Sequence, residues 1–152
     1  MHDWFAIERI HQVTPETAAE LDWMDKVCLP DDDVYDKTKP GTTWWVVRHH
    51  PSRRLAGFAG SLLWEPDNHV FLCRSGVLPG YRGRGLQTKL IRTRLRHARS
   101  IGADGAYTYV SHDNPWSGNN LIRCGFLLFE PTYAWAGEHM IYLGHDLQRQ
   151  GC

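Results

Sequence analysis

The residues best suited to chemistry lie in one stretch, residues 77–95, which reads VLPGYRGRGLQTKLIRTRL. A loop of glycine and arginine there directly precedes a helical pattern. The first backbone N–H groups of a helix have no partner within it and attract negative charge, so phosphate binds there. Gly83 and Gly85 leave the backbone open to a pyrophosphate, while Arg82 and Arg84 add positive charge. The spacing therefore predicts a diphosphate site.

This loop does not fit two common phosphate-binding motifs. A P-loop needs GxxxxGK[ST], but Gln87, Thr88 and Lys89 stand in the wrong order, and a GxGxxG motif would need its third glycine at Thr88. The string RGRGLQ instead resembles the acetyl-CoA loop [QR]xxGx[GA] of the GNAT acyltransferases, except that Gln87 stands where Gly or Ala is usual. The resemblance implies acetyl-CoA as cosubstrate, held by Val77, Arg82, Gly83, Arg84, Gly85, Leu86, Gln87 and Thr88.

A second string, about thirty residues downstream, resembles the other GNAT signature. Asn114 follows a strand pattern, Ser117 stands three residues later, and Gly125-Phe126 follows a short helical pattern. We expect Asn114 to cap that helix and Gly125 to end it in a left-handed conformation. The resemblance implies that Asn114 and Ser117 also belong to the cofactor site. It covers about residues 54–147, and the first fifty residues match only in their coarse pattern.

The remaining pattern alternates strands and helices. We predict strands over residues 4–10, 42–48, 54–63, 69–77, 106–111, 126–130 and 140–147, and helices over about 15–27, 86–101 and 115–124. The second helix has one apolar face, made by Leu86, Leu90, Ile91, Leu95, Ala98 and Ile101. The order resembles the GNAT fold, which implies an α/β (α+β) domain. Its mixed, mostly antiparallel central sheet of about seven strands would be flanked by helices and have splayed central strands.

The length of 152 residues predicts a single domain over 1–152, with an acceptor-side segment at about 1–50 and an acyl-CoA-binding core at about 54–147. No apolar run approaches the ~18 residues of a membrane span, and the N-terminus does not resemble a signal peptide. We therefore expect a cytoplasmic protein without a membrane partner. The widely spaced cysteines predict reduced thiols and no metal site; they are Cys28, Cys73, Cys124 and Cys152.

Charge is balanced overall but unevenly placed. Seven cationic residues and no acid lie between Arg82 and Arg99, whereas eight acids lie between Glu16 and Asp36. The basic segment suits the phosphates of coenzyme A. The acidic segment lies where GNAT proteins usually place their acceptor loops, and an acidic rim concentrates cations. We therefore predict a cationic primary amine as acceptor, such as a polyamine, an aminoglycoside-like molecule or a lysine side chain. A solvated acidic surface is the alternative.

The expected chemistry is direct attack of the amine on the thioester. Many GNAT relatives carry Glu or His on the strand before the acetyl-CoA loop, but alternate positions of this strand read Phe71, Cys73, Ser75 and Val77. Leu121 stands where relatives often have a tyrosine acid. The general base and acid are therefore unassigned, and the candidates are Cys73, Glu65 and Tyr133. For Cys73, packing in the core is the competing role.

Seven tryptophans should mostly lie in the core or in an interface, and Trp23 and Trp135 should border an acceptor pocket.

Two other function classes compete with the acetyltransferase. The first is an acyl-CoA-binding sensor or subunit with little turnover, which the missing Glu and Tyr suggest. The second is a nucleic-acid binder using the arginine-rich helix, a partner that the acidic first helix disfavours. A homodimer is possible, and the acyl-chain length and the pathway are left open.

Overall fold

The computed structural model describes residues 4–148. Along the chain it has seven strands and three helices of more than one turn within that range. They are β1 (Phe5–Ile10), α1 (Pro15–Cys28), β2 (Thr42–His49), β3 (Leu55–Trp64), β4 (His69–Val77), α2 (Leu86–Ser100), β5 (Gly105–Ser111), α3 (Pro115–Arg123), β6 (Leu127–Phe129) and β7 (Met140–Asp146). Short 3₁₀ turns lie at Glu65–Asp67 and Pro79–Tyr81.

The strands form one mixed sheet in the order β1-β2-β3-β4-β5-β7-β6. β1 pairs antiparallel with β2, and β2 with β3, while β7 pairs antiparallel with both β5 and β6. The ladder between β4 and β5 is parallel and covers only His69–Phe71 against Gly105–Tyr107. So short a ladder between strands of nine and seven residues is what separating central strands produce. The predicted fold class is confirmed.

The starts of two helices follow from local sequence. Thr14 precedes α1, its side-chain oxygen accepts a hydrogen bond from the Thr17 N–H at 3.2 Å, and Pro15 stands in the first turn. Asn114 plays the same part for α3. The predicted Asn114 cap is confirmed, because a cap depends only on residues three positions apart.

The chain divides into two compact units. The first contains the residues up to Leu62 together with Cys73–Leu90. Its apolar side chains form two clusters. The α1 cluster consists of Leu21, Met24, Trp44, Val46, Phe58 and Leu78. The α2 cluster consists of Val47, Ala56, Ala59, Val77, Leu86 and Leu90. Because successive side chains of a strand point to opposite faces, Val46 and Val47 place the two clusters on opposite faces of β2.

The second unit contains Leu63–Leu72 and the residues from Ile91 onward. Its core joins the later turns of α2 to β4, β5, α3 and β7 through Val70, Leu72, Ile91, Leu95, Ala98, Ala103, Ala106, Leu121, Phe126 and Leu143. The Thr108 hydroxyl donates to the Leu72 carbonyl at 2.8 Å, one residue beyond the parallel ladder. This bond satisfies a buried polar group in the middle of an apolar core.

Several predictions of burial are corrected. Ile101 is 44% exposed, because α2 ends at Ser100 and Gly102 turns the chain with φ +75°. Arg94 is only 3% exposed and so does not belong to the basic surface of α2. Two tryptophans, Trp44 and Trp45, are buried, whereas five are exposed: Trp4, Trp23, Trp64, Trp116 and Trp135. Most tryptophans therefore lie outside the core of this chain, and their burial in an interface stays a prediction.

Candidate functional site

The loop between β4 and α2 has the open backbone that the sequence predicts. Gly83 and Gly85 have φ values of +79° and +75°, in the left-handed region that favours glycine. A Cβ built on either glycine would meet no atom within 4 Å, so the surface of this loop is free for a ligand. Buried Leu86 begins α2 and anchors the loop in the α2 cluster. The first helical N–H groups follow directly after the two glycines.

The two arginines of the loop are exposed and differ in their contacts. Arg82 Nε donates to the Val77 carbonyl oxygen at 3.1 Å, which ties the loop back to the end of β4. Burial raises the pKa of the nearby Cys28 thiol, and the Arg82 guanidinium partly opposes that shift. Arg84 lies with its guanidinium carbon 5.8 Å from the centre of the Phe5 ring. Both guanidinium groups therefore stand at the rim of the loop with limited freedom.

This donor set fits a diphosphate. Exposed backbone between Gly83 and Gly85, the start of a fifteen-residue helix and two arginines combine the three elements of an anion site. Gln87 and Thr88 lie half-buried in the first turn, where their backbone N–H groups have no intrahelical partner. The side chain of Val77 is packed in the α2 cluster, so only its backbone can face a ligand.

In the second unit, Asn114 and Ser117 form a compact polar pair at the start of α3. The Asn114 side-chain oxygen accepts from the Ser117 N–H at 3.3 Å, while its Nδ2 donates to Ser117 Oγ at 2.9 Å. Gly125 follows the helix with φ +97°, as predicted, and a Cβ there would lie 2.7 Å from His145 Nε2. These two hydrogen bonds are explained by the capping of α3. The proposed contact of Asn114 and Ser117 with a cofactor stays a prediction.

Replacing Asn114 with alanine should lower the free energy of unfolding by about 1 kcal/mol, because α3 loses its N-terminal hydrogen bond. Urea unfolding followed by circular dichroism measures this change. Asn119→Ala is the matched control, since Asn119 is exposed within the same helix and its loss should change the free energy by less than about 0.5 kcal/mol. Equal effects of the two substitutions would contradict the capping role.

On β4 the alternation of faces is broken. Cys73 packs against the α1 cluster, whereas Val77 belongs to the α2 cluster. Gly76, three residues after Cys73, also faces the α1 cluster, because a Cβ built on it would lie 2.5 Å from Cys28 Cβ. Side chains on one face of a regular strand are an even number of residues apart, so the strand is irregular between Cys73 and Gly76. The expectation that Cys73 and Val77 share a face is wrong.

The other two candidates for proton transfer both lie in the second unit. Glu65 begins the 3₁₀ turn after β3, and Tyr133 is 72% exposed in the loop between β6 and β7. Neither side chain has a hydrogen bond or an ion pair with any other residue of 4–148. Buried Leu121 packs in the core of this unit, so the place of the usual tyrosine is filled by an apolar side chain.

Three of the eight acids in the acidic segment are paired with Lys37 or Arg74, basic residues that the sequence did not suggest as partners. Lys37 is buried, and its Nζ lies 2.9 Å from Asp22 Oδ1 and 2.7 Å from Asp25 Oδ2. Arg74, on β4, lies 2.9 Å from Asp32 Oδ2 and 3.7 Å from Asp25 Oδ1. These pairs tie α1 and the loop over residues 29–41 to one another and to β4. The unpaired acidic surface is therefore smaller than the number of acids in this segment indicates.

The second unit carries an aromatic group that sequence reasoning recognised only through Trp135. Phe71 stacks on Tyr107 and Tyr109, with ring centres 5.4 and 5.9 Å apart. Trp135 stands nearly perpendicular to all three rings, and the Tyr142 hydroxyl holds its loop by accepting from the Ala136 N–H at 2.9 Å. Tyr107 and Tyr109 stand two positions apart on β5, and this spacing was the feature of the sequence that indicated a shared face.

Within 4–148, no three His, Cys, Asp or Glu side chains come together as metal ligands would, and no helix has the length and apolarity to cross a membrane. Cys28, Cys73 and Cys124 are not joined in disulfides, and Cys152 lies outside the described residues. Burial raises the pKa of Cys124, against the influence of nearby Arg92.

Comparison with known proteins gives one family and many similar folds. The sequence matches the family model described as the acetyltransferase (GNAT) family over residues 3–126. No curated protein sequence gives a significant match. Three solved structures illustrate the shared fold. A nourseothricin acetyltransferase is 18% identical, with a TM-score of 0.71, over 95% of this chain and 99% of that one.

The second is a Bacillus subtilis acetyltransferase solved in complex with CoA. It is 17% identical, with a TM-score of 0.71, over 93% of this chain and 98% of that one. The third, the ribosomal-protein-S18-alanine N-acetyltransferase of Escherichia coli, is 14% identical, with a TM-score of 0.73, over 97% and 96% of the two chains. At such identities these likenesses establish the fold alone.

Proposed function

Because this chain belongs to the acetyltransferase (GNAT) family, for which acetyl-CoA is the acyl donor, we propose that it transfers an acetyl group to a primary amine. The single observation that carries the proposal is the loop after β4. Its two left-handed glycines are open to a ligand, its two arginines are exposed, and a helix begins directly behind it. These features support the proposal, because they suit the diphosphate of the cosubstrate.

The residues proposed to hold the cosubstrate are those of the loop and the first turn of α2. Backbone N–H groups from Gly83 to Thr88 would bind the pyrophosphate, with Arg82 and Arg84 adding charge. Asn114 and Ser117 are proposed as further contacts. When bound, the cosubstrate supplies the acetyl group as an activated thioester.

In the proposed transfer, the amine nitrogen forms a bond to the acetyl carbonyl carbon as the carbon–sulfur bond breaks. The nitrogen gives up a proton, and the sulfur leaves as a thiolate or takes up a proton. Backbone N–H groups near the end of β4 would stabilise the negative charge that develops on the carbonyl oxygen. The candidates for proton transfer stay Cys73, Glu65 and Tyr133. A thiol with a pKa near ~8.5 leaves tolerably without an acid, so buried Leu121 does not prevent turnover.

The acceptor is proposed to be cationic, although fewer carboxylates are without an ion pair than the sequence suggested. With Asp22, Asp25 and Asp32 paired to basic residues, the carboxylates without an ion pair among residues 4–148 include Glu16, Asp31 and Asp33. These side chains are exposed and lie in α1 and the following loop. They would still attract an ammonium group. A cytoplasmic location and a homodimer stay predictions from the sequence.

The proposal predicts that the purified protein binds acetyl-CoA with micromolar affinity and releases CoA when primary amines are added. Calorimetry measures the binding, and chromatography of CoA and of the acetylated amine measures the transfer. The matched control is the N,N-dimethyl derivative of each amine, which keeps the charge but cannot form a stable amide, so it should release no CoA above background.

Two other outcomes of this experiment would lead to different conclusions about the function. Binding of acetyl-CoA without transfer to any primary amine would favour the alternative function, an acyl-CoA-binding sensor or subunit. The absence of a base at the usual position of β4 is the observation behind that alternative. Failure to bind acetyl-CoA would contradict both functions.

A further inference from the structure

Six aromatic side chains of the second unit lie together on one face of its strands. Ala106 of β5 packs in the core of this unit, so Tyr107 and Tyr109, one and three residues later, face the other way. Phe71 of β4 and Tyr142 of β7 likewise stand between residues that pack in the core or against it. The helices of this unit pack on the core side. We call this group the aromatic face, and it consists of Phe71, Tyr107, Tyr109, Phe129, Trp135 and Tyr142.

The outer surface of the aromatic face is open to solvent and held in place. Tyr109, Phe129 and Trp135 are 36%, 41% and 39% exposed. The Tyr142 hydroxyl fixes the loop that carries Trp135, since it donates to the Gly137 carbonyl oxygen at 3.1 Å in addition to its bond with the backbone N–H before it. A ligand therefore needs no opening of the protein to reach these rings, and binding orders few further side chains.

The loop that carries Trp135 is negatively charged. Glu130 and Glu138 lie in it, and residues 130–139 contain no lysine or arginine. Both glutamates are exposed, and the ion pairs among residues 4–148 include neither of their carboxylates. These charges favour a cationic ligand near Trp135.

A third carboxylate acts on the aromatic face from the turn before β4. Burial raises the pKa of the Tyr107 hydroxyl, and the Asp67 carboxylate is close enough to raise it further. His69 Nδ1 donates to the Asp67 carbonyl oxygen at 2.7 Å and lies 3.7 Å from its carboxylate. No lysine or arginine of residues 4–148 pairs with this carboxylate. The aromatic face is therefore bordered by negative charge at Asp67 as well as in the loop.

The rings themselves favour one kind of cation. The negative face of an aromatic ring attracts a cation, and indole does so most strongly. Lysines and arginines of residues 4–148 lie over the rings of Tyr35, Trp44 and Phe5, and none lies over Trp135. A primary ammonium is strongly hydrated and would lose water against a ring, whereas an alkylated ammonium presents an apolar surface together with its charge. The aromatic face thus suits an alkylated ammonium better than a bare one.

We propose that the aromatic face binds a second, alkylated ammonium group of the amine acceptor, such as a trimethylammonium, while the primary amine of the same molecule is acetylated. The inference rests on the proposed function for that primary amine. The position of the face supports it, because the ladder between β4 and β5 ends at Phe71 and Tyr107, and β4 continues from there to the loop proposed to bind the cosubstrate.

The experiment compares three primary amines that differ only in the group at the far end of a four-carbon chain. They are 4-(trimethylammonio)butylamine, its uncharged isostere 5,5-dimethylhexylamine and 1,4-diaminobutane, and the comparison is repeated for chains of two to six carbons. Calorimetry measures their binding to the free and to the CoA-saturated protein, so the test depends neither on turnover nor on cosubstrate binding. We expect the trimethylammonium compound of at least one length to bind at least about fivefold more tightly than both others.

Substitutions of Trp135 separate the attraction of the ring from its apolar area. Trp135→Leu keeps an apolar side chain but removes the ring, so the preference over the isostere should fall below about twofold. Trp135→Phe keeps a ring and should retain about half of the preference or more. Trp116→Leu is the matched control, because Trp116 is 73% exposed on α3, which packs on the opposite face, and it should bind all three amines as the wild type does.

The uncharged isostere distinguishes recognition of the cation from damage to the loop. Loss of cation binding lowers the affinity of the trimethylammonium compound alone, whereas a disrupted loop lowers the affinities of both compounds and leaves their ratio unchanged. No preference for the trimethylammonium compound at any length, or a preference that Trp135→Leu leaves intact, would overturn the proposal even if other amines were acetylated. The expected preference without acetyl transfer would support it while counting against the proposed catalysis.

Discussion

Replacing Gly85 with glutamate should weaken acetyl-CoA binding at least about a hundredfold. Gly85 has φ +75°, a conformation that costs an ordinary residue about 1–2 kcal/mol. The substitution also brings a carboxylate to the place where the phosphates are proposed to lie, directly before the first turn of α2. A hundredfold loss in affinity corresponds to about 2.8 kcal/mol, so repulsion between the carboxylate and the phosphates must supply what the strain does not. Calorimetric titration with acetyl-CoA measures it, and the Arg84→Ala, Gly85→Glu double variant should bind no better.

Gly102→Glu provides the matched control. Gly102 has the same φ of +75°, and a Cβ there would also meet no atom within 4 Å. This variant therefore suffers the same backbone strain and gains the same charge, but it does so after the other end of α2. It should bind acetyl-CoA as the wild type does. If both variants lost affinity equally, strain or instability would explain the result, and the loop would no longer be supported as the phosphate site.

Lys37→Met should lower the free energy of unfolding by about 3 kcal/mol. The ammonium group of Lys37 is buried against Asp25, itself buried, and the apolar replacement would leave that carboxylate without its nearest partner. Removing one member of a buried ion pair typically costs about 3–5 kcal/mol, and we expect the lower end because Arg74 stays near Asp25. For a chain of this size the thermal midpoint should fall by about 6–12 °C.

Lys39→Met is the control, because Lys39 lies over the Tyr35 ring as Lys37 does but is exposed. Its replacement should change the free energy by less than about 0.5 kcal/mol. The Lys37→Met, Asp25→Asn double variant should recover part of the loss, since no buried carboxylate then lacks its partner. Equal stability of Lys37→Met and the wild type would show that the buried pair contributes nothing to the fold.

The parts of the site that the sequence predicted correctly rest on local geometry. The open backbone at Gly83 and Gly85, the Asn114 cap and the left-handed Gly125 all depend on residues within a few positions of one another. Such features are readable because a turn or a helix end requires particular side chains at fixed offsets. The strand and helix order followed from hydrophobic periodicity, which is equally local.

Predictions that depended on residues distant in sequence were less accurate. Burial of Arg94, exposure of Ile101 and the opposite faces of Cys73 and Val77 each follow from how elements end or pack. The irregularity in β4 is an example, because a strict alternation read from sequence cannot show where a strand departs from it.

By itself the sequence determined the family, the order of the elements and the loop proposed to bind phosphate, because helix starts, glycine conformations and periodic burial are set by near neighbours in the chain. Only the tertiary structure decided which charges are free and which are paired. Lys37 meets Asp22 across 15 positions and Arg74 meets Asp32 across 42. Tyr35, in the loop over residues 29–41, likewise meets Thr42 of β2 and Cys73 of β4. Contacts between such distant residues depend on the packing of whole elements, which no local pattern of residues encodes.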